Sequence, residues 1–177
     1  VTGVQTCALP IYLHAFDGAK IPTRAAWALG REMAEQTLTR YRQAHGKWPE
    51  SVSMVLWYGE TERHQGAMEA EAMVLMGVEP VWNARGNVED VRLIPDAELG
   101  RPRVNVLLTT SGIYRDGFGD KIALLDKAVR LAAAAGENAI SRHDRAVTAE
   151  LVRQGVDPAQ AGRLARSEEH TSELQSH

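Results

Sequence analysis

Two stretches of this 177-residue chain gather side chains able to do chemistry. The first is Tyr58-Gly59-Glu60-Thr61-Glu62-Arg63-His64-Gln65-Gly66, the most polar run outside the chain ends. Glu60, Glu62 and His64 alternate, and in an extended loop alternate residues project to one side. Two carboxylates and an imidazole are the groups that accept protons or hold a divalent metal. A solvated polar surface loop has the same composition, so the spacing alone leaves both readings open. The second stretch is Ser111-Gly112-Ile113-Tyr114-Arg115-Asp116. Arg115 offers a guanidinium that matches a carboxylate in a two-point contact, and Ser111 and Tyr114 join it as candidate substrate-binding residues. The competing role for Arg115 is an internal salt bridge to Asp116 or Asp120. His143 as a metal ligand would need a set of partners that the sequence does not assemble around it, and it reads as an exposed or helix-capping histidine.

Several chemistries are excluded by motif. Gly46-Lys47 lacks the upstream glycine and the following hydroxyl of a phosphate-binding loop, so this chain is not expected to hydrolyse ATP. There is no Gly-x-Ser-x-Gly elbow and no His-Glu-x-x-His.

The elements that must position these stretches are legible in the apolar pattern. Residues 104–108 are a short apolar run bounded by Gly100 and Pro102 before and Ser111-Gly112 after, which predicts a strand. Residues 52–57 form a second such run. Continuous apolar runs imply burial on both faces, as in parallel strands covered by helices. The two are therefore expected as near neighbours in one parallel sheet, with helices from Met68 and Ile122 packed on it. Ligands favour the carboxyl ends of such strands, so residues 60–66 and 111–116 should open on one rim.

Thr23 is a predicted N-cap for a helix whose stripe is Trp27, Gly30, Ala34, Leu38 and Tyr41, flanked by Leu29, Met33 and Thr37, and Gly46 is its stop. Met68, Ala72, Leu75 and Met76 mark a helix ending at Gly77. Residues 78–82 and 88–94 read as strands about a turn at 83–87. Ile122, Leu125, Val129 and Ala132 recur at helical spacing. Residues 137–143 read as a loop, and 146–154 and the run from Pro158 as two short helices. Arg101 and Arg103 lie at the opposite end from the ligand rim and read as structural. Trp27, Trp48, Trp57 and Trp82 fall on separate elements, which packing explains better than a stacking platform. The fold class expected is α/β, a parallel-rich sheet covered by helices in the flavodoxin-like or Rossmann-like manner.

The two ends have a different origin from the rest. Residues 166–176 back-translate to a DNA word whose reverse complement, in another frame, encodes residues 1–11. Opposite strands of one word at both ends are expected of a translated sequencing adapter, so residues 1–11 and 166–177 are set aside as non-native and poorly packing, and residues 12–165 form the α/β unit. Cys7 is the only cysteine and lies in the first end, which removes disulfides, zinc–thiolate sites and a Cys nucleophile. Of 20 basic and 23 acidic residues, Arg166, Glu168, Glu169 and Glu173 lie in the ends, leaving the insert one negative charge from neutral. No basic excess points to nucleic acid or an anionic membrane surface. No apolar run approaches the roughly 18 residues that span a bilayer.

The order of motifs also resembles a family. Leu99-Gly100-Arg101-Pro102-Arg103, an apolar strand, Ser111-Gly112, Tyr114-Arg115-Asp116, and then Leu124-Leu125-Asp126-Lys127-Ala128-Val129-Arg130-Leu131 resemble the large subunit shared by cobaltochelatase and magnesium chelatase. Leu56-Trp57, Glu60-Thr61-x-Arg63-His64-x-Gly66, Glu69-Ala70 and Leu75-Met76-Gly77-Val78-x-Pro80 follow the cobaltochelatase pattern. Magnesium chelatase large subunits tend to carry Asp-Asn-x-Lys-Thr in that loop. The resemblance implies a piece of a larger multidomain, porphyrinoid-binding cytoplasmic subunit. Such a subunit belongs to a ligase that forms nitrogen–metal bonds, inserting cobalt into hydrogenobyrinic acid diamide in cobalamin biosynthesis. Cobalt is then a substrate metal, the partners are a tetrapyrrole and AAA-type motor subunits, and those subunits hydrolyse ATP. It makes Glu60, Glu62 and His64 candidate catalytic residues and Ser111, Tyr114 and Arg115 candidate substrate contacts, with the metal ligands unknown. Two segments of the family, a longer one that contains His-Gly and an Asn-Pro-Ser-Glu segment, are absent here, the lone His45-Gly46 being the stop of the first helix. The alternatives are a magnesium chelatase subunit inserting Mg into protoporphyrin IX and, in another class, a non-catalytic flavodoxin-like binding module.

Overall fold

A computed structural model describes residues 17–165. The expectation that both chain ends pack poorly lies outside these residues. In chain order the elements are α1 (Arg24–His45), β1 (Ser51–Leu56), α2 (Tyr58–His64), α3 (Ala67–Met76), β2 (Val78–Trp82), β3 (Val88–Leu93), α4 (Asp96–Leu99), β4 (Asn105–Thr110), α5 (Gly112–Gly117), α6 (Gly119–Ala134), α7 (Ala139–Arg153) and α8 (Pro158–Leu164). The fold is mixed α/β, with helices around a parallel strand pair.

The first helix starts and stops where its capping residues dictate. Thr23 Oγ1 accepts from the Ala26 N–H at 3.2 Å, and Gly46 takes the left-handed conformation at φ 71° while its N–H bonds Arg42 O. Ala26, Gly30, Ala34 and Leu38 are buried, whereas Leu29 stands exposed on the outer side of the helix. The buried stripe lies on α3, and Gly30 sets the approach: a Cβ there would sit 2.5 Å from Ala70 Cβ and 2.7 Å from Ala67 O.

Helix α3 is the centre of the molecule. Eight of its ten residues are buried, including Glu69 and Glu71, so it carries no polar face. It ends on Gly77, left-handed at φ 75°, with the N–H bonded back to Met73 and Val74 carbonyls. Two arginines finish that terminus. Arg101 donates to Leu75 O at 3.2 Å and to Val74 O, and Arg103 donates to Met76 O at 3.2 Å and Gly77 O at 2.5 Å. Guanidinium groups suit the negative end of a helix dipole and satisfy carbonyls that have no intrahelical partner. Burial, and then Arg103 beside it, hold the Arg101 guanidinium below its usual value. The structural role expected of both arginines is what the geometry gives them.

Strands β1 and β4 pair in parallel, with Ser51 opposite Asn105 and Leu56 opposite Thr110. Strands β2 and β3 form a separate antiparallel hairpin. Two sequence expectations are corrected here. Helix α6 packs chiefly on β3, α3 and α7, with Leu125, Ala128 and Ala132 buried, and not against the parallel pair. The parallel pair is covered on one face only among the described residues: Met54, Leu56, Val106 and Leu108 are buried, while Val55 and Leu107 are exposed. Residues 137–143 are also not a loop. Asn138 accepts from the Ile140 and Ser141 N–H groups and Ser141 Oγ accepts from the Asn138 N–H, a capping box that starts α7 at Ala139.

Candidate functional site

The carboxyl ends of β1 and β4 lie side by side, and each strand passes at once into a short helix, α2 and α5. The two helices touch. Tyr58 at the start of α2 stacks on Phe118 just after α5, with ring centroids 4.7 Å apart and planes 23° from parallel. Gly117 makes that stacking possible, since a Cβ there would collide with Tyr58 Cε2. Both polar stretches therefore share one rim, as the parallel reading required. Gly117→Ala is expected to push the Tyr58 ring off Phe118 and destabilise the chain by about 1–3 kcal/mol, the usual cost of overpacking. Urea unfolding checks the loss, and near-ultraviolet circular dichroism reports the ring.

The first polar stretch is helical, which corrects the extended loop and with it the alternation of side chains. Glu60 in the first turn and Arg63 in the last complement the helix dipole, and the two pair at 3.2 Å. In a helix Glu60 and His64 share a side, and Glu62 turns away from them. Glu62 instead accepts from the Tyr58 hydroxyl, and that hydrogen bond followed by the carboxylate's charge raises the phenol above its usual value.

His64 has a definite occupation. Its Nδ1 accepts from the Gly66 N–H at 3.2 Å and the Ala67 N–H at 3.0 Å, which caps the start of α3. Nδ1 is thus occupied by two backbone bonds, while Nε2 is buried with no hydrogen-bond partner. Ser111 is likewise a cap, accepting from the Tyr114 N–H at 3.2 Å. Tyr114 is fully buried; its hydroxyl donates to Glu69 Oε1 at 2.8 Å. Thr61 Oγ1 donates to the same oxygen at 2.6 Å. Glu69 thus ties α2 and α5 to α3 from beneath the rim, while its Oε2 is buried with no hydrogen-bond partner.

Sequence reasoning gave Glu69 no role of its own. The available signal was a pair of acids, Glu69 and Glu71, inside an otherwise apolar helix. Such acids are buried only when partnered. Glu71 follows the same rule, accepting from Thr37 Oγ1 at 2.9 Å.

Arg115 differs from its neighbours on the rim. It is exposed, and its guanidinium makes no ion pair among the described residues; Asp120 pairs with Lys121 at 3.0 Å instead. The internal salt bridge expected as the competing role does not form. The rim so built carries, on α5, a guanidinium without an ion pair among the described residues and, on α2, the exposed Glu60 and the half-buried Glu62. It can hold an anionic group and accept protons. Among the described residues no group of three or more His, Cys, Asp or Glu side chains could hold a metal ion.

Residues 12–169 match the family model described as CobN/Magnesium Chelatase. The chain belongs to that family. It is 40% identical over 156 residues to the aerobic cobaltochelatase subunit CobN of a Sinorhizobium species, covering 86% of this chain and 12% of that protein. It is 34% identical over 144 residues to the chloroplastic magnesium-chelatase subunit ChlH of Oryza sativa subsp. japonica, covering 78% of this chain and 10% of that protein. Among solved structures, the catalytic subunit of cobaltochelatase from Mycobacterium tuberculosis superposes with a TM-score of 0.73 at 39% identity, over 82% of this chain and 12% of that one. The chain therefore spans 10% to 12% of the length of these chelatase relatives. No helix among the described residues is long and apolar enough to cross a membrane.

Proposed function

We propose that this chain is part of the macrocycle-binding subunit of an ATP-dependent cobaltochelatase, and that the α2–α5 rim faces a carboxylate-bearing tetrapyrrole. The observation that carries this reading is the unpaired, exposed Arg115 on the same rim as Glu60 and Glu62. A guanidinium with no ion pair among the described residues suits a peripheral carboxylate of the macrocycle. Metal insertion releases two pyrrole protons for each divalent ion bound, and on this reading their acceptance falls to the carboxylates of α2, Glu60 on one side of the helix and Glu62 on the other. His64, Ser111 and Tyr114 act by positioning: His64 Nδ1 and Ser111 Oγ accept cap bonds, and the Tyr114 hydroxyl is bonded to Glu69. Cobalt is favoured over magnesium by the Glu60-Thr61-x-Arg63-His64 pattern and by the CobN relatives. ATP hydrolysis belongs to AAA-type partner subunits, and the assembly works in the cytoplasm on the route to cobalamin.

The test uses the complete subunit with its motor partners, hydrogenobyrinic acid diamide and Co²⁺, with protoporphyrin IX and Mg²⁺ in parallel. Arg115→Ala is expected to weaken macrocycle binding at least tenfold, and the Glu60→Ala, Glu62→Ala double variant to slow insertion. ATP hydrolysis by the partners should persist in both. Unchanged binding and insertion would assign the rim to interdomain structure. Turnover with magnesium alone would assign the chain to the other branch of the family.

A further inference from the structure

The parallel pair β1–β4 has an apolar face that nothing among the described residues covers. Val55 is 43% exposed and Leu107 42%, and the register places them diagonally on one face, with Val55 opposite Thr109 and Leu107 opposite Ser53. Trp57 continues that face off the end of β1 at 58% exposure, the one tryptophan of the four that packing does not explain. Trp27 and Trp82 meet edge to face, Arg24 lies over Trp82, and Arg42 lies over Trp48. Helix α3 lies on the buried side of the pair, and α1 and α6 pack on α3. A parallel sheet of only two strands, with one face bare, is not a finished unit, because such sheets occur with helices on both faces. The chain covers 12% of its cobaltochelatase relatives, so most of a complete subunit lies outside it.

We infer that in the complete subunit another segment of the same polypeptide, an apolar helix face, lies across Val55, Leu107 and Trp57. The occupant is helical because the missing layer of a parallel sheet is a helical layer. It belongs to the same polypeptide because the absent chain is about seven times the length of the present one, on the 12% coverage above. A flat face of two strands is also too small for a specific subunit interface.

Carbene or hydroxyl-radical labelling of the complete subunit, read residue by residue by mass spectrometry, tests this directly. Native Val55, Leu107 and Trp57 should label at least tenfold more slowly than in the urea-unfolded subunit. The protection should be unchanged between nanomolar and micromolar protein, and the same with and without tetrapyrrole. Labelling within about threefold of the unfolded rate would overturn the inference. Protection that appears only as the subunit oligomerises would give the face to a second copy. Protection that appears only with added tetrapyrrole would give it to the macrocycle. Either result would also overturn it. The readout does not depend on chelation, so it fails or succeeds separately from the reading of the rim.

Discussion

Replacing Arg103 with methionine is expected to destabilise the chain by about 3–5 kcal/mol, because several carbonyls lose the donors that satisfy them. Arg103 is 3% exposed, and its fork reaches Met76 O, Gly77 O, Ile94 O at 2.6 Å and the Asp96 carboxylate at 2.7 Å. Three of those acceptors are carbonyls at the junction of α3, β2 and the end of β3, and methionine can satisfy none of them. An unsatisfied buried carbonyl costs about 1–3 kcal/mol. Arg103→Lys should recover little, because a single ammonium cannot span acceptors on both Gly77 and Ile94. Urea unfolding measures the loss, and a melting temperature lower by roughly 10 °C should accompany it. A methionine variant within about 1 kcal/mol of the parent would contradict the assigned role.

Glu69→Leu should cost about 2–4 kcal/mol, because it leaves two buried hydroxyls, Thr61 and Tyr114, without the acceptor they share. Glu69→Gln is expected to behave differently. The amide oxygen still accepts both hydroxyls, and a neutral amide group replaces an oxygen that has no partner now. Its cost should stay below about 1 kcal/mol. The separation between the two variants is the diagnostic quantity. Equal losses would mean that Glu69 acts through its charge and not as the shared acceptor of α2 and α5. Under the proposed function, the leucine variant in the complete subunit should also loosen the rim, raising the macrocycle KM more than it lowers kcat.

The elements of this protein that are set by local chemistry were legible in the sequence. Thr23 and Gly46 bound α1 because a hydroxyl can cap a helix start and glycine can take the left-handed turn after it. The apolar runs at 52–57 and 104–108 gave the strands and their parallel pairing, and so the shared rim of α2 and α5. The ordered motifs also gave the family. Three matters were decided only by tertiary structure. Residues 58–64 coil into α2 because β1 delivers them beside α5 and Phe118, a contact invisible in a polar string. Tyr114 and His64 were read as chemistry but serve Glu69 and the start of α3, because those partners lie on other elements. Arg115 makes no ion pair among the described residues, and Asp120 turns to Lys121 instead, a pairing that sequence distance alone does not select. Apolar composition alone predicted two buried faces for the sheet, yet burial depends on what chain is at hand to cover each face. Here α3 packs on the pair, while Val55 and Leu107 stand exposed on the opposite face.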